Sequence, residues 1–96
     1  MHLMGIKVTI HFNYITSLKE KRRIIKSVTD RVRHKFRIST AEVDYLDSLD
    51  LGSLGFGVVS NSRQHAETIL QKVLNQLDIL SEIEVIEVIE VEWIEA

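Results

Sequence analysis

The segment SLKEKRRIIKS, residues 17–27, holds five of the twelve lysines and arginines of this 96-residue chain. Lysine and arginine side chains bind phosphate groups, and a cluster of them is the electrostatic footprint of a nucleic-acid contact. At about 100° per residue, a helix places four of the cations in and after this segment on one flank, with a fifth adjoining. These candidate phosphate-binding residues are Lys19, Arg22, Arg23, Lys26 and Arg33.

A solvated helix face is the other interpretation of this basic segment. Asp30 follows Lys26 by four residues and precedes Arg33 by three, spacings at which helical side chains pair. Residues 1–37 carry ten Lys/Arg and two acidic residues, a net charge of +8. Residues 38–96 carry two Lys/Arg and twelve acidic residues, a net charge of −10, so the net charge of the chain is −2. Such a chain can present a basic face to an anionic partner. Alternatively its halves can neutralise each other, for example if the glutamate-rich carboxyl-terminal segment lies against the basic helix.

Metal chemistry is not indicated by the remaining polar residues. The segment EVDYLDSLD sets four carboxylates close together, but not at the spacing of an EF-hand loop. The four histidines lack metal-ligand spacing, and the chain has no cysteine. We therefore expect no metal site and no cofactor, and interpret the carboxylates Glu42, Asp44, Asp47 and Asp50 as a solvated turn.

Alternating and helical patterns define the elements that position the basic segment. Five apolar residues alternate along a first strand: Met4, Ile6, Val8, Ile10 and Phe12. Ser17 and Glu20 form a capping-box signature, and apolar residues at helical spacing extend a helix over about residues 18–35. Strands are predicted at 38–46 and 51–60, a second helix from Asn61 or Ser62 to Leu80, and a last strand at 83–94.

The order βαββαβ predicts one α+β domain over residues 1–96 with the ferredoxin-like fold. Right-handed crossovers then place two helices on one face of a four-stranded antiparallel sheet.

The last strand, IEVIEVIEVEWIE, repeats with period three, which fits neither a strand nor a helix. We predict that its odd-numbered residues face the core and that a bulge lies near Glu87. The opposite sheet face then carries Lys7, Thr9 and His11 from the first strand. Its candidate interface residues on the last strand are Ile86, Val88 and Ile94, an apolar patch that a second copy or another partner would cover.

Two known functional patterns of this element order fit the sequence poorly. LGFGVVS matches only part of the RNA-recognition motif, since it lacks the basic residue and two aromatics, and we predict that Phe56 is a core residue. Acylphosphatases cradle phosphate in a loop with glycine and arginine after the first strand, whereas this chain has NYITS there. No nucleophile elbow or P-loop is present, so we predict no enzymatic activity and no small-molecule substrate.

The chain has no apolar run of the roughly 20 residues that a membrane-spanning helix needs, and its amino terminus does not resemble a signal peptide. We therefore expect a cytoplasmic protein with no membrane partner.

Five stretches resemble the YlxP-like family, small uncharacterised bacterial proteins known as a domain of unknown function. They are SLKEKRRIIKS at 17–27, AEVD at 41–44, LGFGVVSN at 54–61, HAE at 65–67 and VLNQL at 73–77. The resemblance implies a ferredoxin-like fold and no established activity. The family's genes often stand beside translation and ribosome-maturation genes, which implies a connection with RNA or the ribosome.

Together these observations predict a non-enzymatic bacterial accessory protein that binds RNA or the ribosome weakly through phosphate contacts of the first helix. The alternative is a protein-interaction module that forms a homodimer through the open sheet face and has no nucleic-acid role.

Overall fold

The computed structural model describes the backbone of residues 1–94 and the side chains of residues 1–93. It contains two helices and four strands in the predicted order βαββαβ. The elements are β1 (His2–Phe12), α1 (Leu18–Phe36), β2 (Ser39–Asp44), β3 (Leu51–Ser60), α2 (Arg63–Asp78) and β4 (Ile83–Ile94).

The four strands form one antiparallel sheet in the order β2-β3-β1-β4. Helix α1 lies against β2, α2 lies against β1, β3 and β4, and the two helices contact each other. This arrangement confirms the predicted ferredoxin-like α+β fold, and it places β2 and β4 at opposite edges of the sheet.

Both helices begin at serine caps. Ser17 accepts a hydrogen bond of 3.1 Å from the backbone N–H of Glu20, and Ser62 accepts one of 3.2 Å from that of His65. The Glu20 carboxylate reaches one residue beyond the cap and accepts hydrogen bonds from the N–H and hydroxyl of Thr16. These contacts satisfy backbone donors that a helix start leaves free.

The core lies between the helices and the facing side of the sheet. All five alternating apolar residues of β1 are buried there, together with Leu54, Phe56 and Val58 of β3. From α1 it receives Ile25, Val28 and Val32, and from α2 it receives Ala66, Leu70, Val73 and Leu77. The prediction that Phe56 is a core residue is therefore confirmed.

The bulge predicted in β4 is present, but the residues after it face the opposite way from the prediction. Thr9 pairs with Glu87 and the next residue, Ile10, pairs with Val85, so Ile86 is the extra residue of the bulge. Because side chains alternate along a strand, one extra residue exchanges the two faces. The odd positions before the bulge face the core, as predicted, and those after it do not.

The register corrects the predicted face of one interface residue, Val88. Val88 pairs with Val8, a fully buried core residue, so Val88 lies on the helix side of the sheet. Ile86, at the bulge, is 51% exposed. The backbone of Ile94 pairs with His2, but its side chain lies outside the described residues.

None of the helices in the described part of the chain is long and apolar enough to cross a membrane.

Candidate nucleic-acid interface and open sheet face

The five candidate phosphate-binding residues all lie on the exposed side of α1. The helix turns them away from its buried stripe, which Ile25, Val28 and Val32 form. The exposed cations are Lys19, Arg22, Arg23, Lys26 and Arg33.

Asp30 pairs with two of these cations, as its spacing predicted. Its carboxylate lies 2.7 Å from the Lys26 ammonium and 3.2 Å from the Arg33 guanidinium. The hydrogen bond from Lys26 is the main reason that the pKa of Asp30 is lowered. Arg33 also donates to the backbone carbonyl and hydroxyl of Thr40, at 3.3 and 3.0 Å, and is thereby attached to β2.

Lys19, Arg22 and Arg23 differ from that pair, since they form no ion pair with any residue that the structure describes. They occupy the first two turns of α1, with their side chains in solvent. This part of the helix therefore carries three cations that remain available to an anionic partner.

The glutamate-rich strand does not neutralise α1. Helix α1 lies against β2, whereas β4 forms the opposite edge of the sheet. The described ion pair of β4 is with α2, where Arg63 donates to Glu92 at 2.7 and 3.2 Å and also pairs with Glu67. The hydrogen bond from Arg63 lowers the pKa of Glu92. The fold thus places the glutamates of β4 at the edge of the sheet opposite β2, the strand against which α1 lies.

Lys21 lies in the basic segment but has a structural role that the sequence interpretation missed. Its side chain is only 1% exposed and donates hydrogen bonds of 2.6 Å to the carbonyl oxygens of Tyr45 and Ser48. The Glu42 carboxylate is 3.8 Å away and the Phe12 ring centroid 5.6 Å. Lys21 precedes the buried Ile25 by four residues, and this spacing was a signal that it shares the buried stripe.

Two of the acids predicted to form a solvated turn lie instead in β2 and have specific partners. Glu42 faces Lys21, and Asp44 pairs with Lys7 at 3.7 Å while accepting a hydrogen bond from the N–H of Tyr45. Among the described residues, no group of three histidines or carboxylates is arranged to hold a metal ion.

The sheet face away from the helices, here called the open face, carries an apolar region at one end. Cross-strand pairing sets Val59, Leu3 and Trp93 in one row, followed by a row of Gly57, Gly5 and Val91. Ile89 lies beside Lys7 in the next row. The large apolar side chains of this region are all exposed, and the Trp93 ring is 75% exposed.

Glycines form the floor beside that apolar region. A shallow trough of about 480 Å³ runs over Gly5, Gly55 and Gly57, with Val43 and Val91 among its walls. A Cβ atom at Gly5 would lie 3.0 Å from the carbonyl oxygen of Phe56, so a side chain there would crowd the neighbouring strand. The apolar surface on the open face therefore includes Leu3, Val59, Ile89, Val91 and Trp93 beside a glycine floor, and it does not include Val88.

The fold and these surfaces define a ferredoxin-like domain with a cationic first helix and an apolar open sheet face. Residues 4–90 match the model of a family described as "Protein of unknown function (DUF503)", and the chain belongs to this family. It is also 44% identical over 68 residues to "Uncharacterized protein YlxP" of Bacillus subtilis (strain 168), a match that covers 71% of this chain and 74% of that protein. The resemblance to the YlxP-like family is therefore confirmed.

Proposed function

We propose that this chain is a non-enzymatic accessory protein of the bacterial cytoplasm that binds RNA, alone or within the ribosome, through the exposed cations of α1. The observation that carries the proposal is the set of three cations without an acidic partner in the described chain, Lys19, Arg22 and Arg23. Lys26 adds to them because Asp30 divides its single charge between two cations.

The distribution of acids supports a contact confined to this side of the molecule. Four glutamates of β4 lie at the far edge of the sheet, where they repel phosphate and disfavour approach from that side. They are Glu84, Glu87, Glu90 and Glu92. Such a chain binds a polyanion in one orientation despite its net charge of −2.

Charge reversal on α1 tests the proposal. Arg22→Glu/Arg23→Glu should abolish binding of a labelled RNA in fluorescence anisotropy, because it replaces two attractive contacts by two repulsive ones. The milder Arg22→Gln should weaken binding and reduce the slope of log K against log salt by about 0.7 to 0.9. Lys72→Gln, on the exposed side of α2, is the matched control and should leave both the affinity and the slope unchanged.

The same variants should be compared for co-sedimentation with ribosomes and for pull-down with and without nuclease. Absence of salt-sensitive RNA binding and of ribosome association in the wild-type chain would disprove the proposal.

Self-association through the open face is a second candidate function, favoured by the apolar row Val59, Leu3 and Trp93. Exposed apolar surface of this kind is costly in water and is covered in many proteins by a second copy. Substitution on this face should change the oligomeric state without affecting RNA binding. Charge reversal on α1 should reduce RNA binding without changing the oligomeric state.

A further inference from the structure

Tyr14, in the loop between β1 and α1, projects almost completely into solvent. Its side chain is 95% exposed, although a tyrosine ring gains stability from burial. The backbone at Tyr14 also has φ of 61°, in the left-handed region that residues with a side chain adopt at a cost. The loop thus holds a large aromatic ring in the open and accepts backbone strain in doing so.

Hydrogen bonds fix the loop on both sides of Tyr14. The N–H of Phe12 donates to the carbonyl oxygen of Asp50 at 2.8 Å, and the N–H of Asn13 donates to that of Glu82 at 2.9 Å. The Asn13 side chain donates to the carbonyl oxygen of Ser81 at 3.2 Å. After Tyr14, the Glu20 carboxylate holds Thr16. Because both flanks are bonded, the backbone that carries the exposed ring has a defined position before the start of α1.

A groove with two arginines on one wall lies close to this loop. It has a volume of about 440 Å³ and runs between α1 and the turn that precedes β4. Its lining includes the cations Arg23 and Arg31, the apolar Ile24 and Leu80, and the acid Glu82. Glu82 is also the residue whose carbonyl binds Asn13, so the loop that carries Tyr14 adjoins the groove at Glu82.

We propose that Tyr14 is a stacking platform for an unpaired base of single-stranded RNA and that Arg23 and Arg31 bind the phosphates of the adjoining nucleotides along the groove. This inference rests on the proposed function and specifies its ligand. An exposed aromatic ring can stack on a base only where the base is not already stacked in a duplex. Glu82, whose backbone carbonyl binds Asn13, repels phosphate on its side of the groove and so leaves the phosphates to the arginines of α1.

The experiment compares two RNA probes by fluorescence anisotropy: an oligouridine of about twelve nucleotides and a duplex of similar length. Tyr14→Ala should weaken binding of the oligouridine about tenfold, the order of magnitude of one lost base stack, without changing the salt slope. It should leave duplex binding unchanged. Tyr14→Phe, which keeps the ring, should bind the oligouridine as the wild type does.

Tyr45→Ala is the matched control, because Tyr45 is the other tyrosine, is partly exposed and also has a positive φ, of 59°. It should not alter binding of either probe. Arg31→Gln should weaken oligouridine binding and reduce the salt slope, which separates the phosphate contacts from the stacking contact.

A direct readout is available in a Trp93→Phe/Tyr14→Trp variant, in which the fluorescence of the new tryptophan should be quenched when the oligouridine stacks on it. If the wild type binds RNA with a salt dependence but Tyr14→Ala binds the oligouridine equally well, this inference is wrong and the proposed function stands. If the wild type binds neither probe nor ribosomes, both fall.

Discussion

The ammonium group of Lys21 donates a hydrogen bond of 2.6 Å to the backbone carbonyl oxygen of Tyr45, and this contact joins α1 to the loop between β2 and β3. A second bond of 2.6 Å goes to the carbonyl oxygen of Ser48. The basic segment therefore combines two roles in adjacent residues, since Lys21 is buried in the fold while Arg22 is exposed to solvent. The buried charge is stabilised by two carbonyl dipoles and by the nearby Glu42 carboxylate.

Replacing Lys21 should destabilise the fold. In Lys21→Met, which keeps the apolar stem, Ser48 loses this donor and Glu42 loses its neighbouring charge, while Tyr45 keeps the N–H of Ser48. We expect the free energy of unfolding in urea to fall by about 2–3 kcal/mol. Lys19→Met, on the exposed side of the same helix, should change it by less than about 0.5 kcal/mol. Equal stability of the two variants would contradict the structural role of Lys21.

Removing the Asp30 charge should strengthen RNA binding, provided that α1 is the contact. Asp30→Asn releases Lys26 from its 2.7 Å ion pair, whereas Arg33 stays attached to Thr40. We expect affinity for RNA to rise about two- to fivefold at low salt, with a steeper salt dependence. Glu87→Gln, on β4 at the far edge of the sheet, makes the same change of net charge away from this flank. An equal gain in RNA affinity in both variants would indicate that the gain comes from the change in net charge and not from a local contact at α1.

The ion pair between Arg63 and Glu92 should make stability depend on pH. Its hydrogen bond lowers the pKa of Glu92 in the folded chain, so the stabilisation is present above the ordinary carboxyl pKa and is lost as the pH falls through the folded-state value. Between about pH 7 and about pH 3, the wild type should lose more stability than Arg63→Gln or Glu92→Gln. Urea unfolding midpoints across this range measure the difference, and parallel curves would contradict it.

Local patterns were sufficient to predict most of the fold, but not the faces of β4. The alternation in β1 and the cap at Ser17 each depend on neighbouring residues alone. In β4 the period of three leaves apolar residues on both faces, so the pattern indicated the bulge without showing how the strand lies beyond it. That depends on pairing with β1, where Val88 joins Val8 on the helix side and Trp93 joins Leu3 on the open face.

The sequence predicted only part of the candidate site, because the rest also depends on contacts between distant parts of the chain. Helical spacing was enough to place Arg22 on the exposed flank and to pair Asp30 with Lys26. The partners of Lys21 come from the β2–β3 loop, 24 and 27 residues further along the chain, and no spacing rule within the helix indicates them. The backbone position of the loop that carries Tyr14 likewise depends on a bond between Asn13 and Glu82, which only the folded chain brings together.

The corrected open face leads to a sharper test of self-association. If this face forms a homodimer, Trp93→Glu should shift the chain to monomer in sedimentation velocity, because it places a charge in the apolar row. Ile79→Glu, at an exposed residue following α2, is the matched control and should not affect the oligomeric state. Val88→Glu should not affect it either, since Val88 lies on the helix side. A wild type that is monomeric at all concentrations would exclude the homodimer.

Thr9 and Ser53 form a buried hydrogen bond of 2.8 Å between their hydroxyl groups, on β1 and β3. Both side chains are buried although they belong to the open face, so neither adds exposed surface to it. Ser53→Ala should lower the free energy of unfolding by about 1–2 kcal/mol, because it leaves the Thr9 hydroxyl buried without this partner.

The double variant Thr9→Val/Ser53→Ala removes both hydroxyls. Its loss in free energy of unfolding should be smaller than the sum of the losses in the two single variants. We expect a coupling energy of about 1 kcal/mol in a double-mutant cycle measured by urea unfolding. Additive single effects would show that the two hydroxyls do not stabilise each other. Since neither residue belongs to the exposed row of Val59, Leu3 and Trp93, the oligomeric state should be the same in all four chains of the cycle.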